Sequence, residues 1–224
     1  DLHSFPTRRS SDLVGASITD GAMFYVTNTT AKVVLENTKI KTGSQQVDLI
    51  RATGNSNHWG NPGSNGATLT FTGRNQTLKG NVKADTISRL NMYLLDSTTY
   101  TGNTSITTNS SGNTSSSPIT MNIGTDSQWI VTGNSTVTNL NAEDGSSIVD
   151  PDGNKVTIKV NGKTKVRGNR KYTVTVTKSY TTTVKENSST KLATKVLSRS
   201  TFDKQFDCSP TRSEERRVGK ECRS

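Results

Sequence analysis

The sequence predicts an all-β protein whose short strands stack into coils of about 22 residues and end in a small antiparallel unit. Three observations carry this expectation. Ser, Thr and Asn supply 84 of the 224 residues while apolar residues are only 29%; because Thr is β-branched and suits a pleated, half-exposed surface, such a chain can still be rich in strands. Four stretches share one arrangement of apolar, polar and glycine positions. Charge also switches abruptly near Asn154, from net −2 over residues 14–154 to net +11 over residues 155–204.

The four stretches are "VVLENTKIKTGSQQV" from Val33, "LTFTGRNQTLKGNV" from Leu69, "MYLLDSTTYTGNTSI" from Met92 and "MNIGTDSQWIVTGNSTV" from Met121. Each opens as an apolar–x–apolar strand: Val33/Leu35, Leu69/Phe71, Met92/Leu94 and Met121/Ile123. A small polar pair follows, at Glu36-Asn37, Asn75-Gln76, Asp96-Ser97 and Asp126-Ser127. Next comes one large apolar residue, Ile40, Leu78, Tyr100 or Trp129, and then Gly43, Gly80, Gly102 or Gly133. Val47, Val82, Ile106 and Val137 resume the apolar pattern.

The glycines are 37, 22 and 31 residues apart. Removing the loop-like "GNSNHWGNPGSNG" (54–66) and "TNSSGNTSS" (108–116) leaves 24, 22 and 22. Strands this short cannot bury an apolar face alone, and Gly and Asn every few residues interrupt any useful helix. Stacking coil on coil solves both problems, as in a solenoid. Val, Leu, Ile and Met then face inward, Thr and Ser outward, and Asn and Gly take turns where positive φ costs them little. An antiparallel β-sandwich is the alternative that the same alternation permits.

"DSTTYTGNTS" and "DSQWIVTGNSTVTNLN", with the strands before them, resemble coils of right-handed parallel β-helix, adhesin-like proteins of bacterial surfaces. The resemblance spans about residues 20–160 and rests on turns and apolar spacing. It implies an extracellular, elongated, surface-displayed module, and it brings no shared catalytic residues to carry over. The expected organisation is β-helix repeats over 14–160, then a basic β-hairpin unit and tail over 161–207.

In "KVTIKVNGKTKVRGNRKYTVTVTKSYTTTV", Val156, Ile158 and Val160 point one way and Lys155, Thr157 and Lys159 the other. Asn161-Gly162 is a strong two-residue hairpin turn and Gly168-Asn169 a second turn. This antiparallel unit is expected to close the open end of the stack and to guard its edge with charge. "NSSTKLATKVLSRSTFDKQFD" reads as a linker or short helix. Lys163, Lys165, Arg167, Arg170 and Lys171 are candidates for binding anionic polymers, such as cell-wall polymers or acidic glycans of a host or a cell wall. Specific nucleic-acid binding is not expected, since Tyr172 and Tyr180 alone offer stacking. The other reading of these cations is a solvated, edge-protecting face.

The two ends read differently. Residues 1–13 can be encoded by a DNA sequence whose reverse complement encodes residues 212–224, and that DNA resembles a sequencing-library adapter. Both ends are therefore expected to be adapter-derived and are set aside from the fold. Cys208 then stands as the lone cysteine and His58 as the lone histidine, and a missing signal peptide or anchor carries no information on localisation. No apolar run is long enough to span a membrane.

Candidate chemistry is sparse. "VDPDGNKV" spaces Asp150, Asp152 and Asn154 like the start of a calcium loop, but its glycine is at position four and Asn161 stands at position twelve, so it reads as a turn. Of Asp85, Asp96, Asp126, Glu143 and Asp144, most sit at turn positions, and His58 alone supports no catalytic triad. No metal, cofactor or catalytic residue is expected. The loop 54–66 is the best candidate site: Trp59, beside His58, either stacks on a sugar ring or folds back as a cap over the coil edge. The expected function is a non-catalytic structural or adhesive segment, with a β-helix polysaccharide lyase or hydrolase as the alternative.

Overall fold

The structure, a computed structural model, describes residues 21–40, 47–55 and 59–192. The adapter-like ends, Gly43, His58 and Cys208 lie outside the described residues. Among the described residues the chain is all-β apart from one 3-10 turn at Ser188–Thr190, and no helix is long and apolar enough to cross a membrane.

The chain visits three sheets in rotation. β1 (Ala22–Val26) lies in the first sheet and β2 (Thr30–Glu36) in the second; β3 (Asp48–Ala52) returns to the first and β4 (Thr68–Arg74) to the second. β5 (Thr77–Lys79) opens the third. β6 (Val82–Asp85), β7 (Arg89–Leu95) and β8 (Thr99–Gly102) repeat the circuit, as do β9 (Thr104–Thr107), β10 (Ile119–Ile123) and β11 (Gln128–Val131). β12 (Ser135–Ala142) joins the second sheet and β13 (Ser147–Val149) the third. Every pairing among these strands is parallel. The antiparallel sandwich is thereby excluded, because successive strands of one sheet are joined through the others rather than by hairpins. The arrangement is compatible with a β-solenoid.

Register aligns the interior. Val33, Phe71, Met92, Met121 and Leu140 form one inward row, and Ala31, Leu69, Leu90 and Ile119 another. The sequence alignment placed Leu69 level with Val33 and Met92, which is two residues out. Gly73 explains the slip: it faces Leu35 on one side and Leu94 on the other, so β4 lacks the apolar side chain that closes its neighbours. Likewise Ile106 pairs with Ala84 rather than Val82. A period of two tolerates such slips until a corner fixes the phase. The corner is set by Asn37, Asn75, Asp96 and Asp126, which hold φ of 51°, 49°, 52° and 64°, a conformation that Asn and Asp adopt more readily than other side chains.

In the third sheet Leu78, Tyr100, Trp129 and Ile148 are in register. Tyr100 and Trp129 are fully buried and stack with ring centroids 6.0 Å apart. Their polar atoms are met: Tyr100 Oη donates to Asn103 O at 2.9 Å and Trp129 Nε1 to Gly102 O at 3.0 Å. Gly102 lies so close to the preceding coil that a Cβ there would meet Gly80 O at 2.2 Å.

The basic region extends the second sheet. β14 (Val156–Val160) and β15 (Lys163–Val166) form the expected antiparallel hairpin, with Asn161 and Gly162 at φ 48° and 78°. β16 (Asn169–Thr181) departs from the expected antiparallel unit, because it runs parallel to both β14 and β12 and lies between them. Gly168 is the reason. The chain crosses the start of β14 there, so close that a Cβ would sit 2.1 Å from Lys155 O. β16 thus begins on the far side of β14 and must run in its direction.

Past Thr181 the chain turns back over the outer face of the second sheet. Val184 N donates to Glu143 Oε1 at 3.2 Å, Tyr93 Oη to Lys185 O at 3.4 Å and Arg74 Nε to Thr190 O at 3.0 Å. Arg74 also pairs with Glu186 and, at 2.5 Å, with Asp96. The described part of the expected linker, Asn187–Leu192, thus begins with a docked turn whose Thr190 is fully buried. Asn187 caps that turn by accepting from Ser189 N.

Candidate functional site

The two loops that interrupt the repeat meet in space. The chain leaves the first sheet after β3 and after β9 and enters the second at β4 and β10, so the described residues of both loops project from the same corner, with the short β6–β7 corner between them. Asp85 joins them. Its Oδ2 accepts from Gly54 N at 2.8 Å and from Asn109 Nδ2 at 2.7 Å, and its Oδ1 from Ile87 N at 3.3 Å. Gly63 packs against the second loop, where a Cβ would meet Ser111 O at 2.5 Å.

Between the loops runs a groove of about 430 Å³ with Thr53, Asn55, Pro62, Thr107, Asn109 and Ser111 among its walls. Hydroxyl and amide groups, with the Asp85 carboxylate, make up the polar part of this lining and can donate to and accept from sugar hydroxyls. Trp59, 60% exposed, is carried by the first loop but does not line this groove; the next residue, Gly60, packs against Asn28 of the β1–β2 turn. Its backbone is fixed: Trp59 N donates to Asn55 Oδ1 at 3.3 Å, and Trp59 O accepts from Asn55 Nδ2 and Asn65 Nδ2, each at 3.1 Å. The indole is therefore carried, mostly exposed, on a tethered backbone. His58 lies outside the described residues. Each loop follows the last apolar position of a repeat unit, Val47 or Ile106, and that common position is the signal that would have paired them; Asp85 was read only as a candidate carboxylate.

The basic candidates separate into groups. Lys163 and Lys165 are exposed at alternate positions of β15, the edge strand, and Arg167 is exposed in the turn that follows. Lys159, which pairs with Thr164 across the hairpin, is exposed on the opposite face of this edge; its signal was the alternation of β14. Lys171 differs. Its Nζ bonds Asp152 Oδ2 at 2.7 Å and lies 5.6 Å from the centre of the Tyr172 ring. The Asp152 hydrogen bond raises its pKa above the ordinary lysine value, so its charge is partly spent within the fold. Arg170 belongs to β16 by its backbone.

Many of the carboxylates, among them Asp85, Asp96 and Glu143 of those weighed for catalysis, are engaged in structure. Asp48, 3% exposed, pairs with Arg51 at 2.7 Å and Lys83 at 3.1 Å. Glu143 accepts from Thr125 N at 3.1 Å and from Val184 N at 3.2 Å. Asp96 is held by Arg74, and Asp126 forms a positive-φ corner. Asp150, 1% exposed, accepts from Asp152 N and Asn154 N, each at 2.9 Å, and from Asn169 Nδ2. Burial alone would raise its pKa; the hydrogen bonds from Asn154, Asn169 and Asp152 outweigh burial and hold it below the ordinary aspartate range. The stretch that resembled a calcium loop is a turn organised around this carboxylate. Among the described residues no cluster of three or more His, Cys, Asp or Glu side chains is placed to hold a metal ion.

Comparison with protein-family models, with curated proteins and with solved structures found no match.

Proposed function

We propose that β1–β13, within the repeats expected over residues 14–160, are coils of a right-handed parallel β-helix, and that the chain is a non-catalytic structural and adhesive segment of a bacterial surface or secreted protein. The observation that carries this reading is the paired loops. They sit on a parallel scaffold and are tied through Asp85 across a groove that offers hydroxyl and amide groups, and the first of them also exposes Trp59. An aromatic face next to such groups is the chemistry that binds a sugar ring: the face stacks on its C–H groups while the amides take its hydroxyls. Neutral or acidic glycans of a cell wall or host surface are the proposed ligands.

The carboxylates support a non-catalytic role. Asp48, Asp85, Glu143 and Asp150 each hold a loop, a turn or a cation, and a general acid or nucleophile tied into the scaffold is poorly placed to attack a glycosidic bond. The exposed Lys159, Lys163, Lys165 and Arg167 at the far edge add a long-range attraction for anionic polymers.

The test is co-sedimentation with a panel of insoluble polysaccharides, with reducing ends measured in the same tubes. Binding to at least one polysaccharide that Trp59→Ala abolishes, without new reducing ends, is the expected result. Release of reducing ends or of unsaturated sugar would replace this reading with a hydrolase or lyase.

A further inference from the structure

We propose that Asn161 is a self-modification site: the Gly162 nitrogen attacks its side-chain amide and turns the hairpin tip into aspartate and isoaspartate. Asn-Gly occurs twice in the chain, at Asn65-Gly66 and Asn161-Gly162. Glycine obstructs this attack least, because no Cβ stands beside its nucleophilic nitrogen. The sequence alone ranks the two sites equally. The fold separates them.

At Asn65-Gly66 both residues are held. Asn65 is 1% exposed, and its Nδ2 donates to Asn55 O at 2.6 Å and to Trp59 O at 3.1 Å. Its carbonyl accepts from Asn28 N at 2.9 Å. Gly66 lies so close to the β6–β7 corner that a Cβ would sit 2.2 Å from Ile87 O. Turning the Asn65 amide toward Gly66 N therefore breaks the tethers of the first loop inside the fold.

At Asn161-Gly162 little stands in the way. Both residues are exposed, and among the described residues no atom beyond the chain neighbours lies within 4 Å of where a Gly162 Cβ would sit. Asn161 Nδ2 donates to Lys178 O at 2.9 Å, a bond at the surface. The turn, with φ of 48° and 78°, must open locally to bring Gly162 N onto Asn161 Cγ. An exposed tip of two residues opens without disturbing the sheets.

The chemistry balances with water alone. Gly162 N gives up its proton and bonds to Asn161 Cγ; the bond from Cγ to Nδ2 breaks and ammonia leaves, closing a succinimide. One water then opens the ring. Cleavage between Cγ and the nitrogen gives aspartate, and cleavage between the Asn161 backbone carbonyl carbon and the nitrogen gives isoaspartate.

The product differs from Asn161 in what it offers its neighbours. The register of β16 against β12 shifts between Val176 and Ser179, so Lys178 falls where the ladder is interrupted, and Asn161 Nδ2 supplies a donor to its carbonyl. A carboxylate has no proton to give there, so conversion sets two acceptors face to face. It also adds a negative charge between Lys159 and Lys163.

The test is ageing of the full chain in mildly alkaline buffer, followed by tandem mass spectrometry of its peptides. A gain of about 1 Da at Asn161, resolved into two isomers, is expected to appear at least about tenfold faster than any gain at Asn65. In the chain unfolded in guanidinium chloride the two sites are expected to convert at similar rates, which isolates the fold as the cause. Asn161→Asp, which carries the product on an ordinary backbone, is expected to melt below the wild type. An Asn161 that stays intact in the folded chain, or that converts no faster there than Asn65, would overturn the proposal. An Asn161→Asp variant that melts with the wild type would overturn the consequence drawn at Lys178.

Discussion

Arg74 and Asp150 are the two residues that most clearly bind distant parts of the chain together. Arg74 reaches Asp96 on the neighbouring coil and both Glu186 and Thr190 on the returning segment. Its side chain is 14% exposed, against 59% for Asp96 and 41% for Glu186, so screening by water discounts the ion pairs and the hydrogen bonds carry more of the effect. Arg74→Ala is expected to cost about 1–3 kcal/mol. Hydrogen exchange should show residues 183–191 opening first, before the sheets. Asp150 sets an acid limit. Its folded pKa lies below the ordinary aspartate value, so the unfolded chain takes up the proton first. The stability it supplies is complete above the ordinary value and is lost as pH falls through the lowered one. The melting temperature of the wild type should therefore fall more steeply below about pH 4 than that of Asp150→Asn, which carries no titrating group there.

At the scale of elements, close backbone approach decides what substitutions the corners tolerate. Gly168→Ala places a Cβ against Lys155 O at 2.1 Å. Since backbone is what it meets, the crossing that puts β16 beside β14 must shift; a loss of about 2–4 kcal/mol in urea denaturation is expected. Trp129→Ala removes a fully buried ring stacked on Tyr100, and about 3–5 kcal/mol should be lost.

These elements also show what the sequence made legible. The large apolar residue after each polar corner led to the row of Leu78, Tyr100 and Trp129, because one bulky side chain bounded by Asn or Asp and Gly has few places to go. The Asn161-Gly162 hairpin was readable for the same local reason. The phase of β4 was not, since Gly73 occupies an inward position without an apolar side chain. The path of β16 was hidden too. Alternation in "KYTVTVTKSYT" specifies a strand but says nothing of direction, which Gly168 sets through a contact with Lys155 that no spacing rule contains. The meeting of the two loops was half-legible: the repeat gave their common phase, but the Asp85 link depends on the fold of both.

At the scale of residues 21–191, polar side chains hold the coils together as systematically as apolar ones fill them. On the outer face Thr181 Oγ1 donates to Asn141 Oδ1 at 2.7 Å, and Asn141 Nδ2 to Asn122 Oδ1 at 2.7 Å. This explains how a chain with so few apolar residues maintains ordered sheets: Ser, Thr and Asn link strand to strand where a sandwich would bury a second apolar face. The cations of β14 and β15 lie outside that network, and binding to an anionic polymer through them should weaken steeply with salt. Lys163→Glu with Lys165→Glu should abolish such binding while leaving the folding stability within about 1 kcal/mol of the wild type.

The central claim is that a stacked scaffold presents Trp59 to a glycan, and the chain carries its own reporter. Trp129 is fully buried and Trp59 is 60% exposed, so a ligand-dependent change in tryptophan emission reports on Trp59. The measurement is a fluorescence titration of the wild type and Trp59→Ala with soluble glycans, alongside their melting temperatures. The account predicts saturable quenching or a blue shift in the wild type, no response in Trp59→Ala, and equal melting temperatures. Unchanged emission across the panel, together with a lowered melting temperature for Trp59→Ala, would contradict it and make Trp59 a cap of the coil edge.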